Sequence, residues 1–361
     1  LSQHYSASPV CAPARAALLT GRYPHRTGAI DTLDARGLDR IALRETTVAD
    51  LLRRQGYATG LVGKWHNGAL DRRYHPNARG FDEFAGFSGG WQDYYRWRLD
   101  RNGTFEPADG RYLTDVLTAE AGAFIRRHRD GPFFLLLAYN APHFPLQAPG
   151  EDVHPFSATG KFNKGVSILY GMLQRMDAGV GRVLEALEDC GLTENTLTVF
   201  TSDNGPQFGG DGEWSTTRYN CDLRGCKGNV WEGGIRVPAL VRWPGGLDGG
   251  GRSCDAFVHF TDYLPTLLAV AGAEPPGEIA LDGQNVLPAL RGEGGANPRR
   301  FWQWNRYTPV NRCNAAMRDG PWKLVYPGIR EAMHLTDGEA ERDRASKYQP
   351  ETFTTIFREP M

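Results

Sequence analysis

Short apolar runs alternate along the chain with longer amphipathic segments. The apolar runs are rich in aromatic, leucine and β-branched residues, and each predicts a strand. These predicted strands are Tyr57–Val62, Phe133–Tyr139 and Thr196–Thr201, the second of them buried. The amphipathic segments predict helices, which begin or end at capping residues. They run from Glu45–Thr47 to Gly56, over Leu113–Arg129 with Thr114 as an early cap, and over Val166–Asp189. Because strands alternate with helices, the pattern predicts an α/β fold with a mostly parallel central sheet flanked by helices.

A polar cluster follows each of the three predicted strands. The clusters are Gly63-Lys64-Trp65-His66, Asn140-Ala141-Pro142-His143 and Ser202-Asp203-Asn204-Gly205. Ligands of open α/β sheets bind beyond the carboxyl ends of the strands. We therefore expect these three clusters to contribute to one site.

The pattern of the sequence changes after Leu267. Residues 272–277 contain Glu-Pro-Pro and are typical of a linker, and Met317–Tyr326 predicts a hairpin with Asp319-Gly320 at its turn. We expect an α/β catalytic domain over residues 1–275 and a smaller C-terminal α+β unit with an antiparallel sheet over 276–361.

Charge and composition exclude some classes of protein. The 361 residues contain 41 Lys and Arg against 42 Asp and Glu, which argues against a nucleic-acid or membrane binder that uses its whole surface. The longest apolar run, Phe133–Tyr139, is far shorter than the ~20 residues that span a bilayer. Six cysteines are too few for a disulfide scaffold. Cys221 and Cys226 flank a short loop, where a disulfide in an exported protein and two free thiols both remain open.

The most informative segment is Cys11-Ala12-Pro13-Ala14-Arg15, followed by Leu19-Thr20-Gly21-Arg22. Pro13 suits the first turn of a helix, which would place Cys11 at a helix N-terminus, where the dipole favours an anion. Arg15 lies one turn later and can face the same site. A cysteine, an anion-favouring helix end and an arginine are therefore predicted to meet.

This segment resembles the signature of the type I sulfatases, in which Cys-x-Pro-x-Arg directs oxidation of the cysteine to formylglycine. Four later segments resemble further motifs of that family in the same order. They are Gly63–His66, Ala141–His143, Ser202–Gly205, and Lys227 with Glu232–Pro238. Ala14 replaces the usual serine of the signature, which we regard as a minor departure. The resemblance implies an alkaline-phosphatase-like sandwich and hydrolysis of sulfate esters.

The resemblance also implies roles for single residues. Cys11 would become the formylglycine nucleophile, whose hydrate has two hydroxyls, one to attack sulfur and one to expel sulfate. Arg15 would stabilise the hydrate, and Lys64 and Lys227 would hold sulfate oxygens. His143 would protonate the leaving alcohol or help to bind sulfate. His66 would remove the proton whose loss drives sulfate release. Asp203 and Asn204 would bind Ca²⁺, with Mg²⁺ as the alternative. The expected partners are a sulfated carbohydrate or another sulfate ester and a formylglycine-generating maturation enzyme, in an exported location.

One departure from the family is larger. The family carries a pair of metal-binding aspartates on a strand before the cysteine, but none of the ten residues before Cys11 is acidic, and Asp31 and Asp34 lie after the motif. We expect this chain to lack that strand and part of the metal site. The missing aspartates leave open a non-catalytic relic that binds sulfated glycans. A phosphonate or phosphate diester hydrolase of the same superfamily also stays open, because such enzymes resemble this family and can use the same aldehyde.

Two further features of the sequence could have either a structural or a functional role. Gly86-Phe87-Ser88-Gly89-Gly90 matches the G-x-S-x-G pattern of serine hydrolases, but the residues on either side do not predict the required strand and helix. Aromatic and arginine side chains could either line a sugar site or pack as core. They are Trp91, Tyr94, Tyr95, Trp97, Trp302, Trp304 and Tyr307, with Arg96, Arg98 and Arg306.

Overall fold

The computed structural model describes residues 1–248, 250–295 and 297–348. The helices are α1 Cys11–Thr20, α2 Pro24–Thr27, α3 Val48–Arg54, α4 Leu113–Arg127, α5 Gly150–Ser157, α6 Lys164–Asp189, α7 Glu232–Ile235, α8 Tyr263–Val270, α9 Leu287–Arg291, α10 Arg330–Met333 and α11 Asp337–Tyr348. The strands are β1 Gln3–Tyr5, β2 Ala58–Lys64, β3 Glu83–Phe87, β4 Arg98–Arg101, β5 Thr104–Pro107, β6 Phe133–Ala138, β7 Thr198–Thr201, β8 Ala239–Arg242, β9 Phe257–His259, β10 Arg300–Gln303, β11 Ala315–Asp319 and β12 Trp322–Tyr326. All predicted helices and strands form, with ends shifted by up to two residues.

A five-stranded sheet in the order β5-β4-β3-β2-β6 lies at the centre of the larger part. Strand β2 pairs parallel with β3 and with β6, and the hairpin of β4 and β5 extends the sheet antiparallel from β3. The predicted α/β fold is confirmed, with a parallel centre in an otherwise mixed sheet.

Helices cover both faces of this sheet. Leu61 of β2 packs on one face in a cluster with residues of α1, α3 and α8, and the neighbouring Val62 packs on the other face with residues of α4 and α6. Successive side chains of a strand point to opposite faces, so β2 is buried from Thr59 to Lys64 because both faces are covered.

Strand β6 is less buried than its sequence predicts. Phe133–Leu137 are only half-buried, and Ala138 alone is buried. The reason is position: within the described residues β6 is an edge strand with β2 as its neighbour. A continuous apolar run indicates a strand but not whether both of its edges are paired.

Strand β7 forms where predicted, but it does not join the central sheet. It pairs antiparallel with β8, while β1 pairs parallel with β9 in a second short ladder. The polar cluster at 202–205 thus reaches the site from a separate two-stranded sheet.

Polar side chains cap the starts of α3 and α6. The Thr47 side chain caps α3 in a reciprocal box with Asp50, and Asn163 accepts a hydrogen bond from the Val166 N–H at the start of α6. The predicted cap Thr114 lies inside α4, which begins after Tyr112 without a side-chain cap.

The C-terminal part contains the antiparallel sheet β10-β11-β12, and the predicted hairpin forms with Gly320 at φ +55° in its turn. The Trp302 indole N–H donates to the Ser6 carbonyl at 2.7 Å, so this sheet packs against the N-terminal segment. The proposed division at residue 275 stays a prediction, and residues 349–361 of the predicted unit lie outside the described residues.

Cys221 and Cys226 are both free thiols. Within the described part of the chain, no helix is long and apolar enough to cross a bilayer.

Candidate active site

Helix α1 presents Cys11 at its first position, as predicted. Val10 is extended, with φ −140° and ψ 159°, so the chain turns into the helix at the cysteine. The Arg15 guanidinium donates to the carbonyls of Lys64 and Trp65, the latter at 2.8 Å. These hydrogen bonds from Arg15 hold the end of β2 next to Cys11.

The end of β2 brings Lys64 and His66 to the same place. Gly63 has φ +105°, and a Cβ there would lie 2.1 Å from the Ala138 carbonyl oxygen, so only glycine lets β2 and β6 approach at this point. His66 itself has φ +56°, a conformation that is uncommon for a residue with a Cβ. Lys64 and His66 are both buried.

Asp203 and Asn204 arrive from the loop after β7. The Ser6 hydroxyl donates to the Asp203 carbonyl at 2.6 Å, and the Gly205 N–H donates to the Gly234 carbonyl at 2.9 Å. A carboxylate oxygen of Asp203 lies 3.9 Å from both Lys64 Nζ and Arg15 Nη1. This loop thus adds an anion beside two of the cations.

Backbone hydrogen bonds hold Lys227 near the cysteine. Its N–H donates to the Pro206 carbonyl at 2.9 Å, and the next residue, Gly228, donates to the Pro9 carbonyl at the same distance. Pro9 lies two residues before Cys11, so this contact brings the lysine to the start of α1.

The Cys11 thiol is the most strongly perturbed nucleophile of the site. Burial alone raises its pKa, but Lys227 and Lys64 and the nearby His66 overcome that effect and lower the pKa to about 5. A negative group at this position is therefore favoured by its surroundings.

His66 lies between the cysteine and a buried carboxylate. Its Nε2 is 3.2 Å from an Asp34 carboxylate oxygen and 3.2 Å from the Thr32 carbonyl oxygen. Burial lowers the pKa of His66, but the close approach of Asp34 and Cys11 outweighs it and raises the pKa to about 9. Asp34 was not predicted as a site residue, since it belongs to an irregular segment without a motif.

His143 follows β6 and lies at the more open side of the site. Its Nδ1 is 2.8 Å from the Phe144 carbonyl oxygen, and the Tyr94 hydroxyl donates to the His143 carbonyl. Burial, together with the nearby charges of Lys227 and Lys64, holds the pKa of His143 well below its usual value.

Asp203 and Asn204 have the right kind of donor atoms for calcium, but too few of them. Asn204 Oδ1 is buried and lacks a hydrogen-bond partner among the described residues. Burial raises the pKa of Asp203, but Lys64 and Arg15 outweigh it and lower that pKa. Calcium takes about six to eight oxygen ligands. Within residues 1–248, 250–295 and 297–348 no group of three or more His, Cys, Asp or Glu could hold a metal ion.

Ser88 does not form a nucleophile elbow. Contrary to our expectation, β3 ends directly before it at Phe87, which matches the first half of the pattern. No helix follows before the next strand, β4, and the Ser88 carbonyl instead accepts a hydrogen bond from the His66 N–H at 3.0 Å.

Most of the aromatic residues pack as core. Tyr94 stacks on Tyr112, and Trp97, Trp302 and Trp304 are buried. Arg306 makes an ion pair with buried Asp31 at 3.0 Å. Trp91 is different, because its ring lies 6.1 Å from that of Phe144, which is 44% exposed next to His143.

Comparisons with known proteins agree with this arrangement. The family model described as Sulfatase matches residues 1–273, and one described as N-sulphoglucosamine sulphohydrolase, C-terminal, matches residues 226–349. Steryl-sulfatase of Mus musculus is 33% identical over 412 residues, which cover 89% of this chain and 63% of the relative. N-acetylgalactosamine-6-sulfatase of Homo sapiens is 34% identical over 353 residues, which cover 83% of this chain and 64% of the relative.

A solved structure is similar over nearly the whole chain. It is that of Ps i-CgsB in complex with k-i-k-neocarrahexaose, with a TM-score of 0.81 and 32% identity over 99% of this chain and 85% of that one. This chain spans less than two thirds of the length of the two curated relatives. The match of the family model to most of the chain, together with these relatives, shows that the chain belongs to the sulfatase family and has its alkaline-phosphatase-like fold.

Proposed function

We propose that this protein hydrolyses sulfate esters, with a sulfated carbohydrate as the substrate and Cys11 as the precursor of the nucleophile. The observation that carries the proposal is the surrounding of Cys11, a buried thiol whose pKa is lowered by Lys227 and Lys64 and by contact with His66. Such a pocket suits a group that must bear negative charge next to an anionic ester. Membership of the sulfatase family supports the same reaction class.

Conversion of Cys11 to formylglycine would supply a hydrate with one hydroxyl that attacks sulfur and a second whose deprotonation releases sulfate. Lys64 and Lys227 both lower the pKa of Cys11, so both lie near it, and they would hold the sulfate oxygens. Arg15 fixes the end of β2 and adds positive charge beside the same position. His66 contacts Cys11, whose thiolate is one of the groups that raise the pKa of His66; after conversion to formylglycine that contribution is lost, and His66 would take the proton from the second hydroxyl.

His143 would protonate the leaving alcohol. Its Nδ1 faces the Phe144 carbonyl, so Nδ1 carries a proton, and Nε2 gains one only in the imidazolium form. The two lysines oppose that form in the free protein. A bound sulfate ester offsets their charge and raises the pKa of His143, which would make the acid available when substrate is present.

Asp203 and Asn204 would be two of the ligands of a calcium ion, with magnesium as the alternative. The unpaired Asn204 Oδ1 supports this assignment. The described residues provide too few donors to complete the coordination of the ion. We expect Ca²⁺ to raise the melting temperature of the protein and Asn204→Ala to reduce that gain.

The sugar is proposed from the relatives. The similar solved structure holds a neocarrahexaose, and one relative is named for an N-acetylgalactosamine sulfate. The exposed ring of Phe144 beside Trp91 gives this chain an apolar surface next to His143 on which a sugar ring could stack. We further propose a formylglycine-generating maturation enzyme as a partner and an exported location.

The first experiment is the mass of the Leu1–Arg15 peptide after expression in a host with a maturation enzyme. An aldehyde in place of the thiol is expected, together with turnover of sulfated oligosaccharides. Lys227→Ala and His143→Ala should each lower kcat/KM by about 100-fold or more. Lys161→Ala, which changes an exposed lysine, is the control and should have no effect.

The alternatives give different outcomes in the same assays. Faster turnover of a phosphate diester than of a sulfate monoester would identify the diester hydrolase. An intact thiol, no turnover and retained binding of sulfated glycans would identify the non-catalytic relic.

A further inference from the structure

The buried carboxylate of Asp34 has no part in the chemistry proposed above. Asp34 begins the 3-10 helix Asp34–Arg36, and its side chain is fully buried. One of its oxygens faces His66 Nε2 at 3.2 Å, and the other faces Lys347 Nζ of α11 at 3.8 Å. A buried charge is costly unless it is paired, so these two partners account for its position.

Both atoms that face His66 Nε2 are hydrogen-bond acceptors. They are the Asp34 carboxylate and the Thr32 carbonyl. Nε2 must therefore carry a proton, and in the neutral imidazole the lone pair then lies on Nδ1. His66 Nδ1 is buried and has no hydrogen-bond partner among the described residues, so in the neutral imidazole it is the nitrogen that can accept a proton.

Lys347 comes from the far end of the described chain. It is buried, and it also makes an ion pair with Asp343 of the same helix at 2.6 Å. A Cβ at Gly90 would lie 2.6 Å from His66 Cε1 and 3.0 Å from Lys347 Cε, so the loop after β3 closes tightly over both side chains. The end of α11 thus belongs to the packing around His66.

We propose that Asp34, held in place by Lys347, is the positioning residue that fixes the tautomer of His66 and directs its Nδ1 towards the nucleophile. The proposal rests on the proposed function, in which His66 is the base. It gives the C-terminal helix α11 a role in catalysis, because the cation that balances Asp34 lies on that helix. A buried carboxylate that accepts a hydrogen bond from one ring nitrogen of a histidine fixes the tautomer and the orientation of the ring.

Asp34→Asn tests the proposal, because the amide keeps the size of the side chain and removes its charge. We expect kcat on a sulfated oligosaccharide to fall by about 10–100-fold with KM nearly unchanged. Lys347→Met should lower kcat in the same direction but less, since a buried Asp34 without its cation takes up a proton more easily. Glu339→Gln is the matched control: Glu339 of α11 bonds Arg36 of the same 3-10 helix at 3.0 Å, but it does not touch Asp34 or His66.

Nitrogen-15 NMR of labelled histidine, assigned with a His66→Gln variant, gives a readout that a purely structural role would not move. In the wild type, neutral His66 should carry its proton on Nε2. Asp34→Asn should lower the pKa of His66, because an anion that favours the imidazolium is lost, and Glu339→Gln should leave that pKa unchanged. Besides Asp34 and Lys347, the charged or titratable groups near His66 are Cys11, Lys64, Asp39, His143, Asp203 and Asp343.

An unchanged pKa and tautomer in folded Asp34→Asn would overturn the proposal and leave the Thr32 carbonyl as the group that orients His66. Melting temperatures establish that each variant is folded, and Lys347→Met provides the test if Asp34→Asn is not. The NMR result does not depend on turnover. A wild type without sulfatase activity would therefore refute the proposed function and still leave the positioning of His66 by Asp34 to be decided by the spectra.

Discussion

At the scale of single residues, the site is decided by charges that come from distant parts of the chain. Lys64 lies at the end of β2, and Lys227 lies in a loop more than 150 residues later, yet both act on the thiol of Cys11. The nearby His66 lowers the pKa of the same thiol further. The thiol is therefore ionised near neutral pH although it is buried, which a cysteine in an apolar core would not be.

The ionisation of Cys11 can be measured on the unmodified protein. Since the pKa of Cys11 is lowered to about 5, the thiolate is the form above that pH and the thiol the form below it. The ultraviolet thiolate absorbance, taken as the difference from Cys11→Ser, should rise with a midpoint near this value. Lys227→Met should move the midpoint upward by about 1–3 pH units, because a cation that favours the thiolate is removed. A midpoint that stays in place would show that Lys227 does not reach the cysteine.

At the scale of elements, the close approach of β2 and β6 carries Lys64 and His66 into the site. Gly63 permits it, since a Cβ there would overlap the Ala138 carbonyl oxygen. The two strands pair in parallel up to this point, where Gly63 lies opposite Ala138. The polar residues after β2 are thus positioned by a backbone contact and not by their own side chains.

Gly63→Ala should lower both the melting temperature and kcat, because β2 must move away from β6 and take Lys64 and His66 with it. Gly56→Ala is the control, with φ +83° but nothing within 4 Å of the added Cβ. Gly56→Ala should lower the free energy of unfolding only by the backbone strain, about 1–2 kcal/mol, and should leave kcat unchanged. Urea unfolding and steady-state kinetics measure the two effects. Equal losses in both variants would mean that the contact with Ala138 is unimportant.

At the scale of the whole molecule, the C-terminal sheet is tied to the larger part by buried polar contacts. Arg300 of β10 pairs with Asp262, and both side chains are almost completely inaccessible. Asp31 accepts hydrogen bonds from the Trp304 indole and the Tyr307 backbone and pairs with Arg306. These contacts join residues more than 35 positions apart and fix the C-terminal part against the segment around α1.

Arg300→Met should destabilise the protein by about 3–5 kcal/mol, because it leaves the Asp262 carboxylate buried without its cation. Arg299→Met removes the neighbouring arginine, whose ion pair with Asp319 is exposed, and should change stability by less than about 1 kcal/mol. Urea denaturation of the two variants measures the difference. Similar stabilities would show that the Arg300–Asp262 pair is not part of what holds the C-terminal sheet in place.

The sequence by itself determined the order of strands and helices, the helix that begins at Cys11, and the motif residues of the site. These follow from local periodicity, from the position of Pro13 and from short segments whose residue types are specific. The structure brings several of these residues close together, and their catalytic roles stay proposals. They are Cys11, Arg15, Lys64, His66, His143, Lys227 and Asp203.

Only the tertiary structure decided which sheet each strand joins and what lies behind the motif residues. Strand β7 pairs with β8, and β6 is an edge strand within the described residues, because strand pairing depends on contacts between distant segments. Asp34 and Lys347 are 313 positions apart and carry no motif, so no local pattern could join them to His66. Their two charges are buried together only in the folded chain, and a buried charge is stable only when an opposite charge lies beside it.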